Sequence, residues 1–177
     1  MSELPKDLAW LTESQALRLC GLPRSTLQSW GRAGLDLVDP VGAYGHNAVI
    51  GLVLLVAARQ HLSVAALIAG WRDFDRGPDS ARIFVRARAL APDDRFDLVV
   101  ELDHARIVVA TSDTELIEAV RHPRGPRPVV VLDLAERVRH ASMAFHRLAN
   151  RSPRPAARHR GRPKRQARAV RSLGEKA

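Results

Sequence analysis

Cysteine is almost missing from this sequence. Cys20 stands alone among 177 residues, which excludes an internal disulfide and any zinc or iron–sulfur site built from several thiolates of the chain. Long apolar runs are missing too. The most apolar stretch, residues 48–58, is interrupted by Arg59 well short of the roughly 20 residues that a membrane crossing needs. The first ten residues, MSELPKDLAW, have neither the basic start nor the apolar core of an export leader. The expectation is a cytoplasmic, nucleoid-associated protein with no membrane attachment. Aromatic residues make up only 5% of the chain, and none lies beyond Phe145. Acidic residues are scarce in the same place. Beyond Asn150 there is one of the 19 acids, Glu175, against 10 of the 28 Lys and Arg, so the formal charge of +9 belongs entirely to residues 151–177. A basic segment of that kind points to a polyanionic partner. The chain as a whole is 46% hydrophobic, enough for one ordinary domain or two small ones.

The chain is organised around residues 12–40, TESQALRLCGLPRSTLQSWGRAGLDLVDP. Thr12 is placed to cap a helix and Gln15 to return the hydrogen bond, with Ala16, Leu17, Leu19 and Cys20 on an apolar face. Gly21 supplies the left-handed turn that ends it, and Pro23 fits the first position of a second helix. There Leu27 and Trp30, three apart, face inward. Arg24, Ser25, Thr26, Gln28, Ser29 and Arg32 are left on the outer surface, and these are groups that bind phosphates and base edges. Residues 36–46, with Pro40, Gly42 and Gly45, have the composition of a wing or loop. Asn47 is placed to cap an apolar helix to about Gln60, expected to lie in the core, and Ser63 to cap another carrying Leu67, Ile68 and Trp71.

Leu22, Leu27, Trp30, the Gly34-Leu35 pair, Pro40 and Tyr44, followed by helices from about Asn47 and Ser63, resemble the winged helix-turn-helix of the MerR superfamily over roughly residues 8–74. The resemblance implies DNA binding, dimerisation, and wing contacts near Tyr44. Where that family commonly has an arginine before the wing tyrosine, this chain has Gly42 and Ala43, and His46 stands as the substitute. The family dimerises through a long helix after the head, whereas here a different unit follows.

That unit begins after the turn-rich residues 73–78. Residues 80–90 fit either period and are taken as helix. FDLVVEL (96–102) and RIVVAT (106–111) are β-branched runs joined by a connection short enough for a hairpin. Ser112 or Asp113 then caps a helix to about Arg121. VVVLDL (129–134) reads as a buried strand, and a helix over about 134–148, with Ala135, Val138, Ala141, Phe145 and Leu148 on one side, is expected to back the sheet. The fold class is therefore α+β: a DNA-reading winged helix-turn-helix head (1–76), a small α/β dimerisation or interaction unit (77–150), and a disordered basic tail (151–177) with too little apolar content to fold alone. Within the tail, Arg160, Gly161, Arg162 and Pro163, followed by Lys164 and Arg165, resemble the core of an AT-hook. Gly and Pro keep such a segment thin and extended, and the Arg side chains enter the negative potential of a narrow minor groove.

Chemistry of other kinds has little support. His140 and His146, six apart, fall on opposite faces of a helix and make a poor ligand pair. Asp97, Glu101, Asp103 and Asp133 lie in or beside strands with no nucleophile, phosphate loop or cofactor fingerprint near them. No enzyme activity, cofactor or metal is expected. The expected function is a sequence-specific transcriptional regulator that binds double-stranded DNA, as a homodimer on half-sites about a helical turn apart. An antitoxin that binds a toxin through the α/β unit and represses its own operon is one alternative. An architectural protein, such as an excisionase or nucleoid organiser, is another.

Overall fold

A computed structural model describes residues 9–37, 43–121 and 127–149. Over these the chain forms helices α1 (Glu13–Cys20), α2 (Arg24–Arg32), α3 (His46–Ala58), α4 (Val64–Arg76) and α5 (Ser80–Arg88), strands β1 (Asp97–Glu101) and β2 (Arg106–Ala110), then α6 (Asp113–Val120), β3 (Val129–Asp133) and α7 (Ala135–Ala149). The architecture is α+β, mostly helical, with one small open sheet.

Local chemistry accounts for the first elements. The Gln15 amide donates to Thr12 Oγ1 at 3.3 Å and the Thr12 amide to Gln15 Oε1 at 2.9 Å, closing a reciprocal cap on α1. At its other end Gly21 takes φ 63°, and the Leu22 amide reaches back to the Leu17 carbonyl at 3.0 Å. Pro23 falls at the N-cap of α2, one residue before the position expected for it. Leu11 and Tyr44 then pair as an isolated antiparallel bridge. Because that bridge ends at Tyr44, the chain turns into α3 at once: Gly45 is the N-cap, and Asn47, expected to cap, lies inside the first turn.

Helix α3 is the hub. Ten of its thirteen residues are buried, since α1, α4, α5, α7 and β1 all pack against it. Such an element has no polar face to give to solvent, which explains its near-uniform apolar composition. Helix α4, capped by the Ser63 hydroxyl, runs on through residues 73–76, where a turn was expected. Trp71, Phe74 and Phe84, with ring centres 5.4 to 6.5 Å apart, join its end to α5, and this aromatic packing outweighs the polar local sequence. In α5 the burial of Ile83, Phe84 and Ala87 with Val85 exposed is a helical pattern.

The sheet has the order β2-β1-β3 and is antiparallel throughout. Central β1 is buried along its whole length. Strand β3, expected to be buried, is an edge strand with Val131 42% exposed; its β-branched run reflects pairing on one side, not cover on both. Helix α4 packs on β2, and Gly70 permits the approach, because a Cβ there would run into the Ala105 carbonyl. Helix α6 also lies on β2 and β1. Contrary to expectation, α7 does not back the sheet. It packs on α3, α1 and α5, burying Val138, Ala141, Ser142 and Phe145. One hydrophobic core thus runs from Leu11 to Phe145, continuous across residues 76 and 77. Among the described residues no helix is long and apolar enough to cross a membrane.

Candidate nucleic-acid interface

Helix α2 is held by one face. Trp30 is 1% exposed, with Leu22 and Leu35 buried on either side of the helix and Leu27 half-buried. The turn that follows is fixed by Arg72 of α4, whose guanidinium donates to the Gly34 carbonyl at 2.9 Å. Gly34 itself adopts φ 93°, a left-handed conformation that favours glycine.

The opposite face carries the residues expected to read DNA. Arg24, Ser25, Gln28, Ser29 and Arg32 are exposed, and Thr26 is half-buried. The N-terminus of α2 has no side-chain cap; the Thr26 and Leu27 amides both use the Pro23 carbonyl. Uncapped amides and the positive end of a helix dipole attract anions such as phosphate. Arg24 forms an ion pair with Glu13 of α1 at 2.6 Å, both side chains being well exposed. Pairs of this kind contribute only about 0 to 1 kcal/mol, so the guanidinium is only weakly held. Arg32 has no ion pair among the described residues.

Two residues expected at a wing contact lie elsewhere. Tyr44 is 2% exposed, and burial, with the charges of Glu13 and Asp36 nearby, pushes its phenol up to about 12. His46 is 7% exposed. Its Nε2 lies 2.6 Å from the Ser142 hydroxyl, and its ring meets Phe145 edge-on and stacks on His146. Burial, then the nearby Arg88 and His146, lowers its pKa to about 4. In this structure neither side chain is presented to a phosphate. Both were placed on the surface by sequence because the segment is turn-rich; the Leu11–Tyr44 bridge and the docking of α7 draw them in. Arg160, Gly161, Arg162, Pro163, Lys164 and Arg165 lie outside the described residues.

Three of the carboxylates considered from sequence have structural partners. Asp97 binds Arg95 at 2.9 Å. Burial alone would raise the pKa of Glu101, but Arg106 and Arg127, at 2.8 and 3.2 Å, hold its carboxyl below the usual range. Asp133 accepts from the Ala135 amide at the start of α7. Cys20 is buried, its thiol pushed up to about 12 by burial. Among the described residues no group of three or more His, Cys, Asp or Glu is arranged to hold a metal ion.

One feature has no sequence signal. A cavity of about 740 Å³ opens between the start of α3, α5 and the end of α7. His46 and Asn47 meet Arg88 and Phe145 there from separate stretches of chain, and only the packing of α7 on α3 brings the walls together. Compared with protein-family models and with curated proteins, the chain matches none.

Proposed function

We propose that the protein is a dimeric, sequence-specific DNA-binding transcriptional regulator, with residues 1–76 acting as a winged helix-turn-helix head similar to that of the MerR superfamily. The observation that carries this reading is α2: a helix anchored through Trp30 that exposes Arg24, Ser25, Gln28, Ser29 and Arg32 beside an uncapped N-terminus. That combination matches a recognition helix, in which side chains read base edges while backbone amides meet phosphate. The basic tail, with its AT-hook-like Arg160 to Arg165, adds minor-groove or phosphate contacts.

Selection of bound DNA from a random library supplies the site on which this reading is tested. On that site Gln28→Ala or Arg32→Ala weakens binding by about 1 to 3 kcal/mol if the side chain removed was bidentate to a base, and relaxes the preference at one position. Unchanged affinity in both variants and in Arg24→Ala sinks the assignment of α2. Deleting residues 151–177 leaves sequence preference intact and lowers the absolute slope of log K against log salt by about 0.9 for every phosphate that the tail neutralises. Replacing Gly161 and Pro163 by Ala keeps every charge. It abolishes a preference for A·T-rich flanks only if the tail is a minor-groove hook.

A second reading, an antitoxin-type regulator, is supported by the place of β3 at the edge of the sheet among the described residues and by the exposure of Val131. An apolar edge strand is a site for strand addition by another chain. Co-purification of a small toxin encoded by the neighbouring reading frame, lost in a Val131→Lys variant, would favour it.

A further inference from the structure

Among the described residues, strand β3 ends the sheet with an unpaired edge. The Leu134 amide donates to the Phe96 carbonyl at 2.9 Å and the Leu102 amide to the Pro128 carbonyl at 3.0 Å, and the pairs Leu98–Leu132 and Val100–Val130 lie between them in register. In an antiparallel ladder the bonded pairs alternate, so Pro128, Val130, Leu132 and Leu134 direct their backbone groups to β1. Those of Val129, Val131 and Asp133 point the other way. Such edges are commonly blunted by lysine, proline or a bulge. Here Pro128 turns its missing donor toward β1, and the middle of the outward row is Val131, 42% exposed.

The side chains of that row share one face of the sheet with Val99, the residue paired with Val131. Helix α6 lies on β1 and β2, and Arg95 ties it to this face by bridging Asp97 of β1 and Asp113 of α6, at 2.9 Å each. Val99 is covered there, whereas Val131, with Ile117 and Val120 of α6, stays exposed. The strand also carries opposite charges at its two ends, Arg127 just before it and Asp133 at its close. Arg127 reaches Glu101 at 3.2 Å, although the residue opposite Glu101 is Val129. Diagonal neighbours of this kind are within reach of long side chains.

We propose that this edge pairs with the same edge of a second copy of the chain, antiparallel and centred on Val131, so that one sheet runs through a dimer. That register sets Val131 beside the partner's Val131 and Val129 opposite the partner's Asp133. Asp133 then lies diagonal to the partner's Arg127 on one face, the offset that already joins Arg127 to Glu101, and the two-fold axis repeats the contact. Arg127 meets Glu101 and His104 through Nη1 alone, which leaves its other N–H groups for that carboxylate. Parallel pairing would instead set Asp133 beside Asp133. A second copy satisfies the charge order by symmetry, and this selects it over an unrelated chain. The proposal names the surface of the dimer in the DNA-binding reading and takes from that reading only the expectation of a dimer; its test contains no DNA, so the two fail separately.

The test uses the full chain with single cysteines added, the native Cys20 being buried. Opposite residues in a bonded pair have Cα atoms about 5.5 Å apart, within disulfide range, so Val131→Cys is expected to form a covalent dimer on mild oxidation. Two controls are expected to cross-link far more slowly: Val129→Cys, whose copies fall about 13 Å apart along the strands, and Val85→Cys, exposed on α5. In sedimentation the parent is expected to be a dimer and Val131→Lys a monomer with the parent's melting curve. Asp133→Lys turns two attractions into repulsions and is expected to weaken the dimer by about fivefold or more. Should Val131→Lys lose its fold, the cysteine series decides alone. The proposal is overturned by a parent that is monomeric up to about 100 μM, by Val131→Cys cross-linking no faster than either control, or by Val131→Lys or Asp133→Lys dimerising as tightly as the parent. Cross-linking of Val131→Cys to a co-purifying small protein in place of a second copy also overturns it, in favour of the antitoxin-type reading.

Discussion

Helices α2 and α3 begin in the same way and end up in opposite surroundings. Each has an N-cap with no side-chain hydrogen bond, Pro23 in one and Gly45 in the other, so neither positive dipole end is closed by the side chain of its own N-cap. Around the start of α2 the side chains are exposed and polar, and the surface suits a large, flat, wet partner. Around the start of α3 they are Trp71, Phe84, Phe145 and a buried histidine. The backbone device is shared. What distinguishes the two helix starts is whether a second layer of structure, here α7, is packed over them.

The comparison is broken most severely at Phe145. This ring is 1% exposed and touches His46 edge-on, so Phe145→Ala is expected to cost about 3 to 5 kcal/mol in urea unfolding, as buried aromatic deletions do, and to remove the cavity wall. A loss under about 1 kcal/mol would show that α7 does not seal α3.

Acid probes the same packing more gently. His46 titrates near 6.5 when unfolded and at about 4 when folded, so between these values the unfolded chain binds more protons. The stability from keeping it neutral is present above pH 6.5 and is lost as pH falls toward 4. By about pH 4.5 the loss amounts to about 2 to 3 kcal/mol. The lowered pKa values of Glu101 and Glu115, ordinarily 4.5, act only below that window, which leaves the higher range to His46. Stability measured against pH is expected to slope between about 6.5 and 4.5 in the parent and to be flat in His46→Gln.

On α2 the pattern is reversed. Gln28→Ala and Arg32→Ala, both exposed, are expected to change stability by no more than about 0.5 kcal/mol while weakening DNA binding. A destabilisation comparable to that of Phe145→Ala would place this face in the fold's support and not at its surface.

The smallest effect is the sharpest. Gly45 has φ −70° and ψ 173° and room for a Cβ, so Gly45→Asp is free of strain. Its carboxylate caps α3, raising stability by about a few tenths of a kcal/mol over glycine. Thermal stability is expected to hold or rise slightly in this variant, and a clear loss on melting would show that the start of α3 has no room for a cap carboxylate.

Much of this was legible from local sequence, wherever a signal is completed within one turn of chain. The Thr12–Gln15 cap, the left-handed Gly21, the Ser63 and Ser112 caps and the β-branched hairpin at 97–110 all follow from neighbours a few residues away, and the structure forms each of them. So does the two-faced character of α2, with Trp30 inward and its polar groups outward. Signals that depend on distant partners were misread. Residues 73–76 look like a turn until Phe74 meets Phe84. VVVL looks like a buried strand until β1 proves to be its only paired neighbour among the described residues. The apolar stripe of α7 says that it is covered but not by what.

Sequence alone marked most of the helices and strands, favoured a buried place for α3, and showed that the net positive charge belongs to residues 151–177, because composition and short-range periodicity are properties of the chain itself. Only the tertiary structure decided that α7 closes over α3, that Tyr44 and His46 are buried, and that Asn47 and Arg88 meet at one cavity. The reason is physical: burial depends on which surfaces find each other across long stretches of chain, and His46 gains its place from Ser142 and Phe145, contacts that no neighbour in sequence foretells.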